Sequence, residues 1–229
     1  MANEPSRLQP HQQLRSPENG GDVGRPLVLI VDDDEAVRTA LRELLLSAGL
    51  DAICFASTRE LLDAKLSSRP GCLILDVRMP GSSGLDLQQQ LASSGNAKPI
   101  IFLTGHGDIP MTVKAMKAGA VDFLTKPVRD QTLLDAVSAG IERDIAQRVE
   151  HQIVKLYVER LATLSPRERQ VLREVVHGRV NKQIAFDLGI SEVTVKLHRS
   201  NIMRKMQVAS VAQLMHAWEA LPAEYRDKH

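Results

Sequence analysis

Two cysteines in 229 residues are too few for a disulfide framework. Both Cys54 and Cys72 stand inside short apolar runs, where a thiol reads as a small buried hydrophobe rather than a metal ligand. A reducing compartment suits them, and the cytoplasm is the expected location. No apolar run approaches the roughly 20 residues that span a bilayer, and the N-terminus lacks the hydrophobic centre of a signal peptide. Neither secretion nor contact with a membrane is expected. The formal net charge is only +1, so a nucleic-acid partner must be argued from a local excess of positive charge. Also absent are the G-x-x-x-x-G-K loop, the G-x-G-x-x-G turn, the G-x-S-x-G elbow and the H-E-x-x-H helix. Without them, the common nucleotide-binding and hydrolytic chemistries have no signature here.

What is present is ordinary globular composition, 43% hydrophobic and 25% charged. Residues 1–25 are rich in Pro, Gln, Ser and Gly, offer little to bury, and are expected to form a disordered tail. From Pro26 onward the runs "LVLIV", "DAICF", "CLILD", "PIIFL" and "VDFL" alternate with stretches of helical periodicity. Such alternation requires crossover connections. It predicts a doubly wound α/β domain with a five-stranded parallel sheet over residues 26–144, whose ligand site lies beyond the carboxyl ends of the strands. Residues 145–163 continue as a helix-favouring linker without a sustained heptad. A small all-helical domain is expected over 164–229. Its helices are signalled by a capping box (Ser165 with Glu168), a Pro166 start, a Gly178 stop, and caps at Asn181 and Ser191.

The strand ends carry chemistry. "VDDDE" places Asp32, Asp33 and Asp34 after the first strand, and "CLILD" ends the third on Asp76. Neighbouring carboxylates repel, and a hard divalent cation such as Mg²⁺ relieves them through oxygen ligands. The fourth and fifth strands end in "LTG" and "LTKP", adding the Thr104 hydroxyl and the Lys126 ammonium to the same rim.

On these residues the region 26–144 resembles a response-regulator receiver domain, with 43 residues separating Asp33 from Asp76 and 22 separating Thr104 from Lys126. The resemblance implies that Asp76 accepts a phosphoryl group from a sensor histidine kinase. It implies that Asp33 and Asp76 bind Mg²⁺ directly, Asp32 through water and Arg78 through its backbone carbonyl, while Thr104 and Lys126 grip the phosphoryl oxygens. Lys126-Pro127 resembles the family's cis peptide. The stretch "TGHGDIPMTVKAMKAGAVDFLTKP" resembles most closely the FixJ-type branch. By that resemblance Phe123 is a switch aromatic, and Val113, Lys117 and Asp122 form the surface on which phosphorylated receivers pair into a homodimer. His106, alone in its loop, reads as structural. Haloacid-dehalogenase-type phosphatases also combine an Asp nucleophile with Mg²⁺. Their second Asp, two residues on, is replaced here by Arg78, so an independent enzyme is not expected.

Between Leu164 and Met206, nine lysines and arginines face four acids. On a helical wheel, Val195, His198, Ile202 and Met206 share a core-facing arc, and Val193, Lys196, Leu197, Ser200 and Arg204 lie opposite. Two helices joined by the tight "LGIS" turn, the second with a cationic outer face, form a helix-turn-helix suited to the major groove. "LSPRERQVL", "NKQIAFDLGIS" and "TVKLHRSNIMRKM" resemble the four-helix LuxR-type DNA-binding domain. The resemblance implies base contacts from Lys196, Leu197 and Ser200, and phosphate contacts from Lys182, Thr194 and Arg204. The expected protein is a phosphorylation-controlled transcription regulator of FixJ/NarL type, most readily an activator, with promoter DNA and RNA polymerase as further partners. Two other readings stay open: a signalling module acting through protein partners, and a DNA binder indifferent to phosphorylation.

Overall fold

The computed structural model describes residues 25–65, 68–79, 82–93, 98–105 and 107–226. The expected tail over 1–25, save Arg25, and His106 lie outside the described residues. The apolar runs become strands wherever a helix crosses back to cover them. In chain order the elements are β1 (Leu27–Val31), α1 (Glu35–Ser47), β2 (Asp51–Phe55), α2 (Thr58–Asp63), β3 (Leu73–Leu75), β4 (Arg78–Met79), β5 (Ser82–Ser83), α3 (Gly84–Ser93), β6 (Ile100–Thr104), α4 (Ile109–Lys117), β7 (Asp122–Thr125) and α5 (Asp130–Ala162). Five strands form one parallel sheet in the order β2-β1-β3-β6-β7. The chain reverses its direction of winding after β2, so the crevice between the ends of β1 and β3 is the switch point of the sheet. The two faces bury separate cores. Leu29, Leu75, Leu87 and Phe102 lie in one, and Ile30, Leu45, Ile74 and Leu133 in the other.

The antiparallel pair β4 and β5 was not legible in the sequence. It folds the chain back after Asp76, so that Gly84 N donates to Val77 O at 3.0 Å. A Cβ at Gly84 would stand 2.4 Å from the Asp76 carbonyl oxygen, so only glycine admits this close return. Cys72 is fully buried beneath the sheet, and desolvation pushes its thiol up to about 12, which leaves it an inert hydrophobe as expected.

The 33-residue α5 has no break near residue 144. Its first half covers the sheet through Leu133, Val137 and Ile141, and its last turns enter a second core through Tyr157, Val158 and Leu161. That core joins α6 (Pro166–Val176), α7 (Asn181–Leu188), α8 (Glu192–Met206) and α9 (Val211–Glu219), followed by a short α10 (Ala223–Arg226) that the sequence did not signal. The capping box at Ser165 and Glu168 forms, and Ser191 caps α8 through Thr194 N at 3.1 Å. Asn181 does not cap α7. Val180 holds the extended cap position, with its N–H donating to Gln183 Oε1 at 3.1 Å, and Asn181 Oδ1 instead accepts from Arg199 Nη1 of α8 at 2.9 Å. The turn between α7 and α8 passes through Gly189 at φ +63°, a left-handed conformation that costs a glycine little. No helix among the described residues is long and apolar enough to cross a membrane.

Candidate functional site

Each strand feeding the rim stops one residue short of its functional group or on it. β1 ends at Val31 and delivers Asp32; β3 ends at Leu75 and delivers Asp76; β6 ends on Thr104. Register places β3 between β1 and β6, with Val31 opposite Leu75 and Leu75 opposite Phe102, so these ends are neighbours in space. Carboxylate oxygens of Asp32, Asp33 and Asp76 all lie within 4.8 Å of one another. Asp34 does not join them. Its Oδ1 accepts from Ala36 N and Val37 N at 2.8 and 3.3 Å, which caps α1.

Lys126 projects from beyond β7 and places Nζ 2.5 Å from Asp32 Oδ2 and 2.9 Å from Asp76 Oδ2. Burial pushes the Asp32 carboxyl above the ordinary carboxylate range, against the opposing pull of its hydrogen bond from Lys126. Burial also works to discharge the Lys126 ammonium, but its hydrogen bonds to Asp32 and Asp76 outweigh that penalty and raise its pKa. Three clustered acids against one ammonium leave an excess of negative charge at a half-open rim. An all-oxygen donor set of this kind fits a hard divalent cation. Asp76 and Thr104 are buried, and Asp76 is further oriented by Arg78 N, which donates to its Oδ1 at 3.1 Å. The Arg78 side chain is exposed.

Phe123 lies half-buried, its ring centroid 5.9 Å from that of Phe102. Gly107 faces it so closely that a Cβ there would fall 2.7 Å from Phe123 Cε1 and 3.6 Å from Thr104 Cγ2, so the ring and the hydroxyl-bearing residue share one small space. Beside it, α4 presents Val113 and Lys117 to solvent, and Asp122 starts β7 half-buried. The Lys126–Pro127 peptide is cis.

In the helical domain, α8 buries Val195, Ile202 and Met206 and exposes Val193 (75%), Lys196, Leu197 (60%), Ser200 and Arg204. Two apolar residues so exposed on a cationic face mark a contact surface. Lys182 is exposed on α7, and Thr194 is partly covered, its Oγ1 2.8 Å from Ser191 Oγ. His198 is half-buried, and its Nδ1 lies in the interior without a hydrogen-bond partner among the described residues.

Several residues that hold these surfaces gave no sequence signal, because their partners are distant in the chain. Arg160 of α5 donates to Met206 O at 3.2 Å and to Gln207 Oε1 at 2.6 Å, capping the C-terminus of α8. Lys205 of α8 pairs with the buried Glu168 at 2.6 Å and reaches Thr163 O at 3.2 Å. At the opposite end of the sheet from the acidic rim, the buried Asp144 accepts from Gly71 N and Arg148 Nε at 2.8 Å each and lies 3.6 Å from Lys98 Nζ, locking α5 to the sheet. Burial lowers the pKa of Lys98, against the raising effect of Asp144.

Burial acts to raise the Glu168 carboxyl, but the hydrogen bond from Lys205 and those at Ser165 prevail and hold it below the ordinary value of 4.5. A depressed folded pKa adds stability that is complete above the unfolded value and is lost as pH falls through the folded one. Unfolding of the second core, followed by fluorescence of Trp218, the one tryptophan, should therefore show a midpoint that drops progressively as pH is taken down from about 4.5. Glu168→Gln should cost about 1–3 kcal/mol at neutral pH and flatten that dependence. A variant with the parent's acid profile would show that the pair is not responsible.

A doubly wound sheet with clustered acids, a threonine and a lysine at its switch point, joined to a helix-turn-helix with a basic outer face, defines a two-domain signalling and DNA-binding protein. Comparison with known proteins names the class: residues 28–138 match the response regulator receiver domain, and residues 162–218 match the bacterial regulatory proteins of the luxR family. The chain belongs to the FixJ/NarL family of two-component response regulators, transcription regulators with a LuxR-type DNA-binding domain. It is 52% identical over 195 residues to the response regulator protein TodT of Pseudomonas putida, spanning 85% of this chain and 86% of the relative. It is 46% identical over 188 residues to the transcriptional regulatory protein FixJ of Azorhizobium caulinodans, 82% of this chain and 89% of that one. Among solved structures, the response regulator StyR matches with a TM-score of 0.73 at 47% identity, covering 86% of this chain and 99% of that chain.

Proposed function

We propose that Asp76 is the phosphoacceptor of this response regulator and that its phosphorylation controls promoter binding by α8. The observation that carries the reading is the clustering of Asp32, Asp33 and Asp76 within 4.8 Å, with Lys126 bonded to two of them. An Asp76 carboxylate oxygen attacks the phosphorus of a sensor kinase's phosphohistidine. The P–O bond forms as the P–N bond breaks, and the electron pair returns to the imidazole. Asp32, Asp33, Asp76 and the carbonyl of Arg78 would hold Mg²⁺, which when bound would supply positive charge against the phosphoryl oxygens. Lys126 exchanges its carboxylate partners for a phosphoryl oxygen, and Thr104 donates to another. Phe123 follows Thr104 into the space the two share, a population shift that reshapes the neighbouring surface of Val113, Lys117 and Asp122 and favours a homodimer.

The dimer presents two α8 helices to half-sites about 10 base pairs apart or a multiple of that. Lys196, Leu197 and Ser200 meet base edges; Lys182, Thr194 and Arg204 hold phosphates. The functional units are a receiver over 26–144, a linker over 145–163 and a DNA-binding domain over 164–229, following a tail over 1–25. The protein works in the cytoplasm, where kinase, promoter and RNA polymerase meet, and acts as a regulator rather than an independent enzyme.

The test is the affinity of the full chain for duplex DNA, with Mg²⁺, with and without acetyl phosphate, across a salt series. Affinity should rise with the phosphodonor and fall steeply with salt. Binding indifferent to the phosphodonor would make the receiver a bystander. Weak, salt-insensitive binding would turn the basic face towards protein partners.

A further inference from the structure

The outward line of α5 changes character where the helix leaves the sheet. Gln131, Asp135, Ser138 and Glu142, spaced four, three and four residues apart, are polar and exposed. The same line continues at the same spacing with Ile145, Val149, Ile153 and Leu156, which are 44%, 50%, 41% and 46% exposed. A helical face backed by a domain on one side and water on the other is ordinarily polar, as the first half is. Four consecutive apolar positions over three turns belong to a face that is covered.

The segment has a second need for cover. The sheet's core ends on α5 at Ile141 and the helical domain's core begins at Tyr157, so residues between them belong to neither core. Neither domain of the same chain can supply the cover. Each is packed on another face of the same unbroken helix, and folding either onto the apolar line would require α5 to break. Residues 1–25 offer little apolar surface to lay over it, so the cover is assigned to another molecule. A three-turn apolar line lacking charge is complementary to itself, and the receiver dimer proposed above would offer a second such line.

We infer that the segments 145–156 of two copies pair through Ile145, Val149, Ile153 and Leu156 in the phosphorylated dimer, forming a short two-helix stem between the receiver pair and the DNA-binding pair. The inference rests on the dimer proposed above. A stem would carry the separation of the receivers rigidly to the recognition helices, whose Met206 carbonyl is already held by Arg160 of the same α5.

Two measurements on the full chain test it. With acetyl phosphate, sedimentation equilibrium should show Ile153→Glu associating at least about tenfold more weakly than the parent and Ile153→Leu associating like it. Asp76 labelling and Trp218 fluorescence should be the same in all three. Under mild oxidation, Val149→Cys should cross-link into dimers when phosphorylated, beyond the background of the unmodified chain with its own two cysteines. His151→Cys, on the far side of the helix, should not. If the parent dimerises and Ile153→Glu dimerises equally, or if positions 149 and 151 cross-link alike, the stem is overturned while the receiver dimer stands. A parent that stays monomeric when phosphorylated overturns both.

Discussion

Asp76→Asn should take up no phosphoryl group from acetyl phosphate and Mg²⁺, and its affinity for DNA should no longer respond to the phosphodonor. The amide lacks the nucleophilic oxygen, while its size and the Arg78 N–H at 3.1 Å leave the surrounding fold intact. The unmodified chain should gain one acid-stable, base-labile group, read as a single mass increment. Lys126→Ala separates nucleophile from neutraliser. It leaves Asp76 in place but removes the ammonium bonded to Asp32 and Asp76. Labelling should slow by about 10²–10³, the usual cost of removing one preorganised electrostatic partner, rather than vanish. Undiminished labelling of Asp76→Asn would move the acceptor elsewhere on the rim, and Asp33→Asn would then be the variant to examine.

Lys196→Ala should weaken binding to a specific duplex by roughly 1–3 kcal/mol and relax preference at one base position, because Lys196 lies on the exposed face of α8 with Leu197. Lys182→Ala should weaken specific and random duplexes about equally and reduce the slope of affinity against salt by about one ion. The contrast matters more than either loss. Lys182 sits on α7, the first helix of the motif, whereas Lys196 sits on α8, the helix proposed to enter the groove. Measured over a salt series, equal losses on both duplexes for Lys196→Ala would make α8 a backbone contact and leave base reading to some other surface.

The strand ends were legible because each is a local event: an apolar run stops, and the next residue is charged or carries a hydroxyl. The helix-turn-helix was legible because caps, a left-handed glycine and a cationic face recur at fixed short spacings. Short-range signals also failed in instructive ways. Asn181 has the chemistry of a cap, but Arg199, 18 residues away, takes its side-chain oxygen. Asp34 belongs by sequence to the acidic run, yet the first turn of α1 takes its carboxylate. In both cases several partners compete for one polar group, and residue type alone does not decide between them.

By itself the sequence determined that this is a parallel α/β domain followed by a helical one, and that acids, a threonine and a lysine end the strands of the first. Periodicity and strand-end chemistry are written in consecutive residues, and they survive without knowledge of what packs where. Only the tertiary structure decided that Asp32, Asp33 and Asp76 meet while Asp34 turns away, and that Lys126 sits on two of the three. It alone placed Asp144 on Gly71, 73 residues earlier, and Arg160 on the end of α8, 46 residues later. It also showed that the apolar positions of α5 between the two cores face neither of them. These are decisions about which polar group is desolvated and which partner compensates it, and they depend on distances between residues far apart in the chain.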